Sequence, residues 1–215
     1  MVEFHDNYAA QCEEWRKKFL DMDQIDIVRR VPEIERGEET LGIWHFGRHL
    51  IVSRSTGEIT CDSDDLPVPY TPKLNVYTLF WYCKPTARMA GDWVAFSNLR
   101  DAANFAPAFK KMIIDSLAAT FSGHEDSLEP AVKKIRGKRV SSNVYELRAF
   151  QCIPMRVCFW DGDEEFPASA NILFDSSAVD FIHVESVVTI AVEGIRQLAR
   201  AAGLEIKNWT LPPGI

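Results

Sequence analysis

The chain has 215 residues, of which 47% are hydrophobic and 26% charged, and its formal net charge is −7 at pH 7. This composition is typical of a globular protein with a sizeable core, and the negative charge argues against a general affinity for nucleic acid or for an anionic membrane. The five cysteines contain no Cys-x-x-Cys pair, which gives no support to a zinc knuckle or an iron–sulfur cluster and favours reduced thiols. The longest strongly apolar run, 75–83, is too short to span a membrane, and no signal peptide is expected.

The first half of the chain predicts two helices, a β-meander and a central buried helix. Tyr8, Cys12, Trp15 and Phe19 lie three or four residues apart, as on the buried face of a helix. The later segments are a short helix over 22–31, strands over 41–46, 48–54 and 58–61, and an apolar helix over 74–83 that begins with Thr71 as N-cap and Pro72.

The second half predicts further helices and a second group of strands. The segments are an extended piece over 92–99, helices over 105–121 and 129–136, strands over 144–150, 153–160 and 169–175, and an amphipathic helix over 185–202 with a polar stripe of Ser186, Thr189, Glu193, Arg196, Gln197 and Arg200. Turns join most neighbouring strands. The sequence therefore predicts one α+β domain over 1–215, with a mainly antiparallel mixed sheet packed against amphipathic helices.

Carboxylates are concentrated in one segment between two predicted strands. Four of them fall within five positions after Trp160, and Asp175 ends the following strand. No Lys or Arg occurs between Arg156 and Arg196, so near neighbours in the sequence offer these acids no opposite charge. The candidate site residues are therefore Arg156, Trp160, Asp161, Asp163, Glu164, Glu165, Asp175 and His183.

The acidic segment 161–165 has three interpretations. In the first, it is a hairpin turn whose acids are solvated or pair with the basic segment 133–156. In the second, its alternating carboxylates bind a divalent cation, although the glycine and the glutamate that would complete an EF-hand are missing. In the third, crowding raises the pKa of Asp163 or Glu165, and that carboxyl acts as an acid or base with a divalent ion and His183.

Other signatures of catalysis or cofactor binding do not occur in the sequence. There is no G-x-S-x-G, S-x-x-K, P-loop or G-x-G-x-x-G motif. His45 and His49 flank a predicted turn rather than share a helical face, and no third metal ligand accompanies them. Trp44 and the other tryptophans would line a pocket or fill the core, and most are expected in the core.

Three segments, taken in their order along the chain, resemble segments of a known family. They are Gly91-Asp-Trp-Val-Ala-Phe-Ser-Asn-Leu, Ala149-Phe-Gln-Cys-Ile-Pro-Met-Arg-Val, and the run from Trp160 to Asp175. The chain is similar over about 74–202 to proteins of anaerobes grouped as domain of unknown function 3786. The resemblance implies no assigned reaction and no catalytic residues. It implies a neighbourhood of corrinoid and one-carbon metabolism, and some relatives are fused to an iron–sulfur module whose cysteine spacing this chain lacks.

The sequence thus predicts a cytoplasmic accessory or binding protein linked to that metabolism. The hairpin region Asp161–Glu165 would hold a small ligand, a metal ion or a protein partner, and an oligomer such as a homodimer is expected. The other hypothesis is a small enzyme that uses Asp163 or Glu165 as acid or base, with or without a divalent metal. No cofactor is indicated, and enzymatic activity is left open.

Overall fold

The computed structural model of the protein describes residues 2–209, with side chains from Asn7 onward. Its helices are α1 (Val2–Asp21), α2 (Gln24–Arg30), α3 (Tyr70–Tyr82), α4 (Ala106–Phe109), α5 (Asp115–Phe121), α6 (Leu128–Lys134), α7 (Ala178–Phe181) and α8 (Val184–Ala202). Its strands are β1 (Glu35–Arg36), β2 (Thr40–His45), β3 (Arg48–Ser53), β4 (Ile59–Cys61), β5 (Trp93–Ala95), β6 (Lys138–Ser141), β7 (Val144–Phe150), β8 (Ile153–Trp160) and β9 (Ser169–Asp175).

The strands form two sheets, ordered β1-β2-β3-β4 and β5-β9-β8-β7-β6, and every ladder is antiparallel. The predicted α+β class is confirmed. The strands are divided between two separate sheets, whereas the sequence predicts one. Within each sheet every strand runs antiparallel to the strands it pairs with, as the turns in the sequence predict. No helix within the described residues combines the length and the apolar character needed to cross a bilayer.

One hydrophobic cluster joins both sheets to the central helices. Ile153, Met155, Val157 and Phe159 are fully buried on one face of β8, as the alternation in the sequence predicts. The same cluster includes Leu41 and Ile43 of the first sheet together with residues of α3 and α8. The core therefore lies between the sheets and these two helices.

Helix α3 begins earlier than the sequence predicts. It starts at Tyr70, after Pro69, so Thr71 lies in the first turn and the prediction of Thr71 as N-cap is wrong. The Thr71 hydroxyl instead donates a hydrogen bond to Glu193 of α8 at 3.1 Å. A buried carboxylate on the facing helix has therefore taken the hydroxyl that would otherwise cap α3.

The polar stripe of α8 faces the protein interior for half its length. Ser186, Glu193 and Gln197 are buried, whereas the amphipathic pattern predicts a solvated stripe. Helix α3 covers this stripe and supplies Thr71 and Asn75 as hydrogen-bonding partners. The polar residues are thus an interhelical network.

A two-residue turn of the first sheet is hydrogen-bonded to the second sheet. Phe46 and Gly47 lie between β2 and β3 with φ of 47° and 80°. The N–H of Phe46 donates to the carbonyl of Arg148 in β7 at 3.0 Å. A Cβ at Gly47 would lie 2.8 Å from the backbone of Ile135, so this position accepts only glycine.

Candidate functional site

The acidic hairpin is built by Asp163. Its Oδ1 accepts the N–H groups of Glu165 and Phe166, each at 2.8 Å, and its own N–H donates to the carbonyl of Phe166 at 2.9 Å. The hydrogen bonds from Phe166 and Glu165 lower the pKa of Asp163, which is fully exposed. Asp163 therefore stays ionised near neutral pH and shapes the turn, and this favours a turn-forming role over that of an acid or base.

Asp161 attaches the hairpin to the end of α5. Its carboxylate accepts the N–H of Gly123 at 2.9 Å and that of Gly162 at 2.8 Å. Glu164 and Glu165 are exposed. Within the described part of the chain, none of the carboxylates from 161 to 165 forms an ion pair.

The interpretation that these acids pair with the basic segment 133–156 is therefore wrong. Glu146 of β7 takes three of the seven basic groups of that segment, although only 5% of it is exposed. Lys138, Arg148 and Arg156 surround it at 3.3, 3.6 and 3.3 Å. The register explains this, because Glu146 lies opposite both Lys138 and Arg156 on adjacent strands.

Asp175 lies far from the hairpin and has a structural role. It is fully buried and accepts hydrogen bonds from the N–H groups of Ala90, Gly91 and Ser177 and from the Ser177 hydroxyl. Burial raises its pKa, but these hydrogen bonds more than compensate and hold the pKa below the usual value. Because β9 rises about 3.3 Å per residue, Asp175 is about 20 Å along the strand from Ser169, next to the hairpin.

The remaining candidate residues lie in separate surroundings. His183 is the N-cap of α8, accepts the N–H of Glu185 at 3.4 Å, and packs on Tyr82 with ring centroids 5.2 Å apart. The guanidinium of Arg156 covers the Trp93 ring at 3.7 Å, and Trp160 is 46% exposed. Among the described residues, no three or more His, Cys, Asp or Glu side chains are placed to hold a metal ion. The predicted residues therefore do not form one site.

A pocket at the meeting point of the two sheets has the features of a binding site, and the sequence did not predict it. It has a volume of about 300 Å³, in the lower range for small-molecule sites. We call it the junction pocket, and its lining consists of Trp44, Gly47, Ile135, Arg136, Arg148, Phe150 and Gln151.

Arg136 supplies an unneutralised positive charge to the junction pocket. Its guanidinium lies 3.6 Å from the centroid of the Trp44 ring, which also stacks on His49 at 4.7 Å. Trp44 is held in place by its indole N–H, which donates to Glu35 at 3.3 Å. The backbone N–H of Arg136 donates to the carbonyl of Lys133, but its side chain forms no ion pair or hydrogen bond with any described residue from 7 to 209. The donors of its guanidinium are thus free for a ligand.

Arg148 provides the second cationic group of the junction pocket. It is 44% exposed, donates to the side-chain oxygen of Gln151 at 2.8 Å, and lies 3.6 Å from Glu146. Gln151 lies in the tight turn between β7 and β8, so Arg148 is oriented by its own hairpin. Two guanidinium groups and an amide beside Phe150 and Ile135 suit a small anion with an apolar part.

Glu33 lies behind the lining of the junction pocket, next to Cys152, and its carboxyl has a raised pKa. Its Oε1 accepts the N–H of Cys152 at 3.2 Å, and its Oε2 is buried with no hydrogen-bond partner. Burial raises the pKa of Glu33 to about 7, against the opposing hydrogen bonds from Cys152 and Gln151 and the charge of Arg148. Its φ of 69° shows that the backbone is strained at this point.

A buried chain of polar side chains supports the junction pocket from within. The His45 ring stacks on Phe150 at 4.7 Å and donates from Nδ1 to the carbonyl of Ala149 at 2.7 Å. Its Nε2 then accepts from Asn75 at 3.3 Å, and the Asn75 oxygen accepts from the Thr189 hydroxyl at 2.5 Å. Burial lowers the pKa of His45 to about 4, so it is neutral at pH 7 and works as a spacer of fixed orientation.

The comparisons with known proteins identify the family. The model described as Domain of unknown function (DUF3786) matches residues 27–197. The chain belongs to the DUF3786 family. No curated protein and no solved structure matches it. The DUF3786 match begins well before residue 74, where the resemblance in the sequence begins, and it includes every residue that lines the junction pocket together with Glu33.

Proposed function

We propose that this DUF3786 protein binds a small anionic molecule in the junction pocket. The observation that carries the proposal is Arg136, whose guanidinium packs on Trp44, has no ion pair or hydrogen bond among the described residues, and lines the same cavity as Arg148. The chain as a whole has a net charge of −7. The junction pocket differs from this average, because its lining contains two arginines. Bidentate guanidinium groups recognise carboxylate and phosphate oxygens by geometry as well as by charge.

The junction pocket also limits what the anion can be. A volume of about 300 Å³ accepts a small metabolite and is too small for a macromolecular surface to enter. Phe150 and Ile135 supply apolar contacts, and the Gln151 amide supplies a hydrogen bond that fixes orientation. These features support a small carboxylate or phosphate ester with an apolar portion as the ligand class.

Binding of simple anions tests this function directly. We would titrate inorganic phosphate and succinate into the protein and follow tryptophan fluorescence, because the bound anion withdraws Arg136 from the Trp44 ring. Arg136→Gln and Arg148→Gln should each weaken binding at least tenfold, the loss expected for one charge-assisted hydrogen bond of about 1.5–3 kcal/mol. The matched control is Arg29→Gln, an exposed arginine of α2 that does not line the pocket.

Two outcomes would refute the proposal. One is the absence of any saturable change with either anion at low ionic strength. The other is equal binding by the wild type and both pocket variants, which would place the anion elsewhere on the surface.

The earlier hypotheses are affected unequally. The class of a binding or accessory protein is retained, and its cytoplasmic location and its link to corrinoid and one-carbon metabolism stay predictions. The hairpin 161–165 stays a candidate for contact with a protein partner, which is favoured by its exposed position. The enzyme that uses Asp163 or Glu165 as acid or base gains no support, because Asp163 has a lowered pKa and both carboxylates face solvent.

A further inference from the structure

The outer edge of β9 is open along its first half. Strand β5 pairs only with residues 173–175, where Ala95 lies opposite Leu173. The residues of β9 before Leu173 therefore have no strand on that side. The N–H of Ile172 donates instead to the side-chain oxygen of its own neighbour Asn171 at 2.8 Å. An open edge of this kind is a template for pairing with another chain.

An apolar pocket lies directly beside this open edge, and we call it the edge pocket. Its volume is about 470 Å³, and its apolar side includes Phe96, Pro107, Phe109 and Ile114. Phe96 and Phe109 stack with ring centroids 4.0 Å apart at the base of this pocket lining, and both are nearly buried. A cavity of about 150 Å³ is enough for a benzene molecule, so the edge pocket can accept an aromatic side chain.

The hairpin that leads into β9 carries an aromatic side chain in solvent. Phe166 is 67% exposed, more than any other large hydrophobic residue whose exposure the structure gives. The Asp163 carboxylate accepts hydrogen bonds from the backbone N–H groups of 165 and 166, and these bonds fix the conformation of the hairpin. Phe166 is therefore presented on an ordered turn, which reduces the entropy lost when it is buried.

The charges beside these two features are complementary. Glu164 and Glu165 precede Phe166, whereas Lys110 lies on the lining of the edge pocket and Lys111 follows it. Lys110 is 71% exposed, and among the described residues it forms an ion pair only with the exposed Asp115, at 2.7 Å. Exposed pairs of this type contribute little and exchange partners readily.

We infer that two copies of the chain associate across a two-fold axis at the open edge of β9, with Phe166 of each copy in the edge pocket of the other. Phe166 lies just before the start of β9, and the edge pocket opens at Ala170 and Asn171 near the start of the same strand. One molecule therefore carries both the aromatic side chain and the pocket, as a self-complementary two-fold interface requires. An antiparallel approach of two β9 strands brings the segment before Ser169 of one copy beside Ala170 and Asn171 of the other, where the edge pocket opens. The same approach places Glu165 near Lys110.

Sedimentation velocity at several protein concentrations tests this dimer. The wild type should change from monomer to dimer as the concentration rises, and Phe166→Ser should remain a monomer throughout. Leu66→Ser is the matched control, because Leu66 is also exposed, at 49%, and lies away from β9. Phe166 is largely in solvent, so circular dichroism of Phe166→Ser should match that of the wild type.

Charge reversal separates a direct contact from a general effect. Glu165→Lys and Lys110→Glu should each weaken the dimer at least tenfold, and the double variant should recover most of the wild-type affinity. Three results would overturn the inference: a wild type that is monomeric at every concentration, a dimer that persists in Phe166→Ser, or charge reversals whose losses add in the double variant.

Discussion

The ring of Phe46 lies against Gly194 of α8. A Cβ added at Gly194 would stand 3.0 Å from Cζ of that ring and 2.4 Å from the terminal methyl of Met155. Phe46 belongs to the β2–β3 turn, which is hydrogen-bonded to the second sheet, and Met155 belongs to β8. One missing methyl group thus allows the first sheet, the second sheet and α8 to meet at a single point.

Gly194→Ala should therefore destabilise the protein. Alanine is favoured over glycine inside a helix by about 1 kcal/mol, so helix propensity alone predicts stabilisation. Overlap with the Phe46 ring and with Met155 opposes it, and an overpacked core typically costs about 1–3 kcal/mol. We expect a net loss in the free energy of unfolding measured with urea. An unchanged or higher value would mean that the core relaxes around the added methyl group.

Glu33 should make stability fall as the pH rises. Its pKa in the folded protein is about 7, above the value of 4.5 for an unperturbed glutamate, so the folded state binds its proton more tightly than the unfolded state does. The free energy of unfolding should therefore decrease from about pH 4.5 to pH 7, by roughly 1–3 kcal/mol, and then level off.

The variant Glu33→Gln removes that titration. Urea unfolding of wild type and variant at a series of pH values should give curves that diverge between these two limits, with the variant losing less stability. Parallel curves would show that Glu33 is not the group responsible. Glu38→Gln is a suitable control, because it alters a nearby exposed carboxylate that forms no ion pair within the described residues.

Asp175→Asn should destabilise the protein strongly. The amide keeps the shape and one accepting oxygen, but its NH₂ group faces N–H donors where the second carboxylate oxygen accepted, so part of the hydrogen bonding from Ala90, Gly91 and Ser177 is lost. We expect a loss of about 2–4 kcal/mol at pH 7.

The pH dependence of Asp175 has the opposite sign to that of Glu33. The pKa of Asp175 is lower in the folded state, so its contribution is present above about pH 4 and is lost as the pH falls through the folded pKa. The difference between wild type and Asp175→Asn should therefore shrink in acid. Asp163→Asn, at an exposed turn, should have a much smaller effect, and equal effects would contradict the buried role given to Asp175.

Asn75→Ala should weaken the contact between α3 and α8. It removes the partner of His45 Nε2, which then lies in the interior without a hydrogen bond, and it leaves the Thr189 hydroxyl with only the carbonyl of Ser186. The cost should be about 2–4 kcal/mol, measured by thermal unfolding. Thr78→Ala on the same helix is the control, because its hydroxyl bonds only to the α3 backbone, at Leu74 and Asn75.

Sequence patterns predicted the parts of the fold that depend on local periodicity. The alternation along β8 and the helical spacing in α8 identified these elements and their apolar faces, and Gly203 ends α8 with a φ of 74° as expected. The patterns could not show that Glu193 is buried, because a polar stripe reads as solvated unless the helix that covers it is known. Thr71 and Asn75 come from a helix more than a hundred residues earlier.

The candidate site was harder to predict for the same reason. The acids from 161 to 165 are adjacent in sequence, and adjacency was the only signal available for a site. The junction pocket draws Trp44, Arg136 and Arg148 from three separate segments that the Phe46–Gly47 turn brings together. No local pattern reports such a meeting. The glycine after the aromatic residue of a predicted turn was the one signal that a close approach of backbones would occur there.

The bond from Phe46 to Arg148 also bears on synthesis at the ribosome. The four strands of the first sheet come from residues 35–61 and can pair as soon as they emerge, since their contacts are local. Their turn, however, has no second sheet to pack against until translation has passed β7 and β8. The apolar surface around this turn therefore stays exposed on the nascent chain until then. A chaperone that binds exposed apolar surface would be of most use during this interval.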